Sequence, residues 1–383
     1  MNIPAEFDKI RPFTPEEMPA AFDRLLSDEG FCRIALSLFK GKSIDDLRQL
    51  AATCTDNLDF QKKFFYALLK DLLGKTSTGY GLDSSALPSL TDNYTFVSNH
   101  RDIVLDSAFL DIFLIDNGFS TTVEIAIGDN LLITQWIETL VRLNKSFIVR
   151  RSVGVREMLE SSRLMSRYMH FAVSRKHENI WIAQREGRAK DSDDRTQESV
   201  LKMMAMGGEG SPLESLKELN IVPLAISYEY DPCDFLKAQE FQLKRDMPDY
   251  KKSPADDLKN MQTGIFGYKG RIHYAAAPPV NTWINELAAL PKNRFYPELA
   301  QRIDREIHCR YRLFPNNYIA ADWRDGTTAF SAEYTAEERR RFEEYVAGRL
   351  ALIQIPGKDE DYLLERLLTM YANPLYNQLK ARA

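Results

Sequence analysis

Residues 94–106, YTFVSNHRDIVLD, set a histidine, His100, directly after a strand-like run and ahead of a helical one. Two acidic residues, Asp102 and Asp106, follow within the next turn or so. An imidazole at such a place is exposed yet can be oriented. A carboxylate on the first helical turn accepts the proton of one ring nitrogen and leaves the other free to take a proton from an attacking hydroxyl. General-base acyl transfer needs little beyond this except stabilisation of developing negative charge. A structural histidine at a strand end shows the same local pattern, so the pair acquires meaning only from its company.

That company lies downstream. Residues 146–152, SFIVRRS, run from a strand into Arg150 and Arg151, and residues 179–188, NIWIAQREGR, run from another into Glu186, Gly187 and Arg188. Residues 221–228, IVPLAISY, form a further strand with Pro223 near its start, and residues 128–131, GDNL, end yet another. Open α/β sheets bind ligands outside the carboxyl ends of their strands. There Arg150, Arg151 and Arg188 could together clasp a phosphate, which the planar guanidinium suits. Plainer readings exist: solvated strand-end charges for Arg150 and Arg151, a turn for Glu186 and Gly187, and a chain-shaping role for Pro223. Cys233, with no histidine close in sequence, reads as a small buried hydrophobe.

The elements that must position these residues are legible as alternation. Residues 15–73 carry apolar side chains three and four apart and read as an N-terminal helical region, with Gly74 as its stop. Residues 75–91, rich in Ser, Thr, Gly and Asp, read as a loop. Strand-like runs are expected at 94–98, 121–127, 146–149, 179–183, 221–228 and 270–275, with helical runs at 103–117, 131–143, 155–174 and 198–206 between them. The pattern predicts an α/β fold: a mixed, largely parallel sheet flanked by helices. From Trp283 onward the chain returns to helical patterns, expected at 283–290, 296–312, 336–351 and 361–382. The expected division is an N-terminal helical region over 1–90, an α/β domain over 91–280 and a C-terminal helical cap over 281–383. Leu132, Trp136, Leu140 and Leu143 fall at helical spacing, which suits either core packing or a membrane-facing surface.

Composition narrows the classes. The 383 residues are 44% hydrophobic and 27% charged with a formal net charge of -5, which gives no sign of bulk nucleic-acid binding. The four cysteines are scattered without a C-x-x-C pair, so neither a zinc site nor a disulfide framework is indicated. Residues 1–9 lack the apolar core of a signal peptide, and no run approaches the roughly 18 to 20 apolar residues of a membrane span; residues 103–115 come nearest and are interrupted by Asp106 and Asp111. A cytoplasmic protein, peripheral at the membrane if a membrane matters, is expected.

Taken in order, the four segments within residues 93–231, about a third of the chain, resemble the four blocks of the glycerol-phosphate and lysophosphatidate acyltransferase family. His100 with its aspartate matches the first block, FIVRRS the second, Glu186-Gly187-Arg188 the third and Pro223 the fourth. Residues 128–131 are similar to the segment that leads into the second block in the glycerol-phosphate branch. Two departures stand out. Five residues separate His100 from Asp106 where the family has four, so that Leu105 occupies the aspartate position. Asp106 is the favoured partner, because Asp102 is explained as a helix N-cap, but Asp102 stays open as the alternative. Gln184 and Arg185 stand where the family often has Phe-Pro, which leaves both Arg188 and Lys190 open for the arginine's contact.

The resemblance implies transfer of a fatty acyl group from acyl-CoA or acyl carrier protein to a hydroxyl of glycerol 3-phosphate or lysophosphatidate. His100 would be the general base, Asp106 its partner, and backbone N–H groups near Gly187 the oxyanion donors. It implies no metal or redox cofactor, a membrane surface as partner and no nucleic acid. Two rivals remain: an O-acyltransferase for a hydroxylated N-acyl amino acid in aminolipid synthesis, and a catalytically silent member that binds lipid at the membrane surface.

Overall fold

Seven strands carry the structure: β1 (Ser77–Asp83), β2 (Thr95–Ser98), β3 (Val123–Gly128), β4 (Ser146–Val149), β5 (Asn179–Ala183), β6 (Ile221–Tyr228) and β7 (Gly270–Ala276). Alternation along the central three decides the layering. Phe96 in β2, Trp181 in β5 and Val222, Leu224 and Ile226 in β6 pack into one core. Val97, Ile180, Ile182, Ile221 and Ala225, from the same strands, pack into another on the opposite face. Strands buried on both faces require helices on both.

The computed structural model, which describes residues 2–150 and 155–383, has this architecture. Helix Leu105–Asp116 covers the first face with Leu105, Phe109, Leu110 and Phe113. Helices Val155–Ser174, Glu198–Met204 and Lys292–Cys309 cover the second. The strand order is β1-β7-β6-β2-β5-β3-β4. β2 to β6 run parallel to one another, β7 is antiparallel to β6, and β1 is parallel to β7. The carboxyl ends of the five parallel strands therefore share one edge of the sheet, with β2 inside it between β5 and β6.

β4, β5 and β6 have the expected bounds, and β2, β3 and β7 differ from them by one or two residues. The stretch 75–91 does not stay a loop, because it contains β1. Its sequence, STGYGLD, has two glycines and no apolar alternation, and the strand exists through its pairing with β7 at the sheet edge, from Ser77 opposite Gly270 to Asp83 opposite Ala275. Residues 283–290 form not a regular helix but a short 3-10 turn, Ile284–Leu287, preceded by another at Val280–Thr282. Three helices that the periodicity did not reveal, Pro212–Glu218, Pro254–Phe266 and Pro315–Asp325, each open on a proline, which fits a first helical turn that needs no N–H. Ser211 and Ser253 close capping boxes with Glu214 and Asp256 on the first two. Trp136, Leu140 and Leu143 on helix Gln135–Leu143 pack with Phe22, Phe60 and Phe64 of the N-terminal helices, so that face is core.

Helix Leu105–Asp116 carries Asp106 at its start, and a second buried acid sets its seat. Asp111 accepts from Gln61 Nε2 at 3.0 Å and from the backbone N–H of Val123 at 2.9 Å, which ties the helix to β3 and to the N-terminal helices. Burial pushes its carboxyl up to about 7 from an ordinary value of 3.8. A folded-state value above the unfolded one gives stability that is present at low pH and lost as pH rises through about 7. Asp111→Asn removes this dependence. Relative to wild type, the variant should gain roughly 2 kcal/mol between pH 5 and pH 8 in urea unfolding. A variant-minus-wild-type difference that is flat across this range would disprove the assignment.

Candidate active site

β2 leaves the sheet in a way that holds the next residue still. At Asn99 the side chain takes over the strand ladder: Ile226 N–H donates to Asn99 Oδ1 at 2.8 Å and Asn99 Nδ2 donates to Ile226 O at 2.9 Å, fully buried. His100 follows immediately. Its Nδ1 lies 2.8 Å from Asp106 Oδ2, and its ring meets the edge of Trp181 at a centroid distance of 5.5 Å. Trp181 is itself fixed by donating Nε1–H to Ser98 Oγ at 3.0 Å. The imidazole is 14% exposed, and among the described residues nothing hydrogen-bonds its Nε2.

The carboxylate of Asp106 has no exposed surface, so its charge must be met by donors. The loop after His100 supplies them. The backbone N–H groups of Arg101 and Asp102 donate to Oδ2 at 2.6 and 3.1 Å, and the Tyr228 hydroxyl donates to Oδ1 at 3.1 Å. From β7, Tyr274 donates to the main-chain oxygen of Asp106 at 3.0 Å. The chain from 101 to 105 thus wraps around the carboxylate, which is how five intervening residues still deliver an acid to the imidazole. Asp102 is occupied differently. Its Oδ1 accepts from the N–H groups of Val104 and Leu105 at 2.9 and 2.8 Å and caps the turn that opens the helix. Burial, together with the neighbouring Asp106 charge, pushes the Asp102 carboxyl up.

Arg101 points away from the dyad. Its guanidinium pairs with Asp194 at 2.8 Å, both side chains buried, and lies 5.7 Å from the centre of the Tyr311 ring. Tyr311 donates to Asp194 Oδ2 at 2.9 Å, and His308, which burial holds down to about 4 and hence neutral, donates Nε2–H to the Asp194 carbonyl at 2.9 Å. A small cavity lined by Arg101, Tyr228, Asp231 and Tyr311 adjoins this cluster. Among the described residues, Arg101 Nη1 and Asp194 Oδ1 have no hydrogen-bond partner, which suits buried water.

The other sequence-derived candidates are more dispersed. Glu186 and Gly187 sit exposed in the loop after β5, beside β2, and Gly187 adopts a φ of +70°, the left-handed conformation that favours glycine. The loop is held by Glu186 N–H donating to Gln197 Oε1 at 2.7 Å. Arg188 is partly buried, with Nη2 at 3.3 Å from Asn260 Oδ1 and Nη1 without a hydrogen-bond partner among the described residues, and its charge acts on Asp102 and Asp231. Lys190 is engaged elsewhere, paired with Glu240, and burial lowers its ammonium to about 8. Arg150 is exposed beyond β4, the edge strand, three strand spacings from β2 or about 14 Å. Arg151 lies outside the described residues. The structure therefore gathers His100, Asp106 and the Gly187 loop at neighbouring strand ends and holds Arg150 apart from Arg188. Among the described residues, no cluster of His, Cys, Asp or Glu is arranged to hold a metal ion, and no helix is long and apolar enough to cross a membrane.

No protein-family model matches the chain, and no curated protein matches it. Among solved structures it is similar to the crystal structure of the 1-acyl-sn-glycerophosphate (LPA) acyltransferase, PlsC, from Thermotoga maritima, at 12% identity and a TM-score of 0.38, over 75% of this chain and 93% of that one.

Sequence reading did not single out Asn99, Trp181, Tyr228, Tyr274 or Asp194 as parts of the site. Asn99, a polar residue directly after a buried strand, carried a usable signal; the rest depend on tertiary placement. One contact is unusually close. The backbone of Gly264, in helix Pro254–Phe266, lies against Asp102, and a Cβ there would sit 2.0 Å from Asp102 Oδ2. Gly264→Ala should therefore displace the cap and cost about 1–3 kcal/mol in urea unfolding. Gly74→Ala, on an open helix surface, should be neutral or mildly stabilising. Equal stability of the two variants would contradict the contact.

Proposed function

We propose that the protein is an O-acyltransferase that moves a fatty acyl group from a thioester, acyl-CoA or acyl carrier protein, to a hydroxyl of a lipid precursor. The observation that carries this reading is the dyad: His100 Nδ1 held at 2.8 Å by a fully buried Asp106, with Nε2 unclaimed at the carboxyl edge of a parallel sheet. With Nδ1–H donated to Asp106, Nε2 carries the lone pair and can accept the proton of the acceptor hydroxyl. As the hydroxyl oxygen bonds to the thioester carbon, negative charge moves to the carbonyl oxygen, where N–H groups of the Gly187 loop are the candidate donors. Collapse breaks the carbon–sulfur bond, and the imidazolium returns its proton to the departing thiolate. Asp106 stabilises the cation in between.

The resemblance of the four segments supports glycerol 3-phosphate or lysophosphatidate as acceptor, bound at the membrane surface. Within that reading Arg188 is the better phosphate contact, because its Nη1 has no hydrogen-bond partner among the described residues and its strand neighbours that of His100. The position of Arg150 favours a second reading. An acceptor with one carboxylate and a long apolar tail, such as a hydroxylated N-acyl amino acid, needs one nearby cation rather than three.

Incubation of the purified protein with acyl-CoA or acyl carrier protein and these acceptors, followed by mass spectrometry of the ester, tests the class. His100→Ala should lose at least about a hundredfold in turnover, and Asp106→Asn should lose most activity, while Asp102→Asn keeps it because asparagine also caps. Undiminished turnover in His100→Ala would refute the general base. For a phosphorylated acceptor, Arg188→Ala should raise the acceptor KM by about tenfold or more, with little change for the acyl donor and a smaller effect at high salt. Arg150→Ala should then matter less. A greater loss with Arg150→Ala would reverse the assignment, and no phosphate-dependent effect in either variant would favour the amino-acid acceptor.

A further inference from the structure

The two oxygens of Asp106 are used unequally. Oδ2 takes the imidazole and two backbone N–H groups, whereas among the described residues Oδ1 takes only the hydroxyl of Tyr228. We propose that Tyr228 is a positioning residue of the dyad, whose hydrogen bond to Oδ1 fixes the rotation of the Asp106 carboxylate and tempers the negative charge that His100 meets. The proposal rests on reading His100 as the base, but the titration that decides it does not depend on any acyl transfer.

Geometry supports a dedicated role. Tyr228 ends β6, the strand beside β2, and the Asn99 side chain locks β6 to the exit of β2 only two residues earlier, at Ile226. The origin of the phenol is thus fixed relative to Asp106. Tyr274, opposite Ile226 in β7, places its own hydroxyl nearby and donates to the main-chain oxygen of Asp106, so the helix start is anchored separately from the carboxylate. Burial pushes the Tyr228 hydroxyl far above its ordinary range, so it stays a donor at any working pH. Other titratable and charged groups facing this region are Arg101 and Asp102 on the same loop, Tyr274 on β7, and Arg188, Asp231, Lys237 and Lys269 around Asp102 and Arg101. Substituting Tyr228 removes none of them.

A donor on Oδ1 stabilises the carboxylate and makes it a weaker partner for the imidazolium; without it, the imidazole holds its proton to higher pH. Tyr228→Phe removes only the hydroxyl. In the full-length protein with labelled histidine, the NMR titration midpoint of the His100 ring should rise by about half a unit or more relative to wild type. The acid limb of kcat/KM should move the same way, with kcat falling by several-fold and KM little changed. Tyr274→Phe, whose hydroxyl meets the Asp106 main-chain oxygen and the Tyr228 hydroxyl but not the carboxylate, should move the midpoint clearly less than Tyr228→Phe does. Tyr228→3-fluorotyrosine keeps the shape and strengthens the donor, so it should lower the midpoint, and it serves if the phenylalanine variant fails to fold. An unmoved midpoint in a folded Tyr228→Phe or fluorotyrosine protein, or an equal rise in Tyr274→Phe, would overturn the proposal. A shifted midpoint in a protein that transfers no acyl group would uphold Tyr228 and reject the enzymatic reading instead.

Discussion

A carboxylate with no contact to solvent, at the first turn of a helix beneath the centre of the sheet, is the constraint on which this architecture turns. Left unpaired, such a charge would cost several kcal/mol, so the chain around it is shaped to supply donors. The loop between residues 100 and 105 folds back to present two N–H groups, β6 contributes a phenol, and the remaining direction is given to the imidazole. The histidine is oriented because it completes the solvation of Asp106. In this sense the site is a solution to a burial problem, and its rigidity follows from the number of elements that share in it.

The elements outside the sheet act on the same loop from a distance. Arg101, next to the histidine, is held by Asp194, which Tyr311 and His308 hold in turn. Further along, Lys237 pairs with Asp231, and Tyr345, Tyr371 and Arg349 converge on Asp234, so the C-terminal helices brace the turn after β6. Such buried pairs add little net stability over apolar packing but are costly to break singly. They make the placement of the strand-end loops depend on residues well away from the His100–Asp106 pair.

Much of this was legible in the sequence, and the failures have physical causes. The central strands announce themselves through runs that can only be buried on both faces. His100 and Asp106 could be picked out because an imidazole and an acid flank a strand-to-helix junction. The sequence favoured Asp106 over Asp102 but could not show the contact: which acid meets the imidazole depends on how the five residues after His100 coil, and periodicity does not encode a turn's path. β1 was missed because an edge strand beside a distant partner needs no apolar alternation of its own. The expected clasp of arginines relied on all strand ends being equivalent. Sheet order is set by non-local pairing, and it sends Arg150 to the edge and keeps Arg188 near the centre. Tyr228 was read as the end of a strand; nothing in its neighbours shows that a carboxylate of another segment awaits its hydroxyl.

The side-chain ladder at Asn99 also has a temporal meaning. Asn99 and its partner Ile226 are separated by 127 residues, and β1 pairs only with β7, the last strand of the chain. During synthesis β2, buried along its whole length in the folded protein, and the helix after it emerge long before the neighbours that will shelter them exist. Local contacts cannot close this centre, so folding must wait for most of the polypeptide. The nascent chain accordingly spends that interval with sticky surface displayed, a state in which chaperone occupancy, translation speed and crowding decide how much of it reaches the native form. The same inward placement of β2 that steadies the histidine thus makes closure of this centre a late event in the chain's emergence.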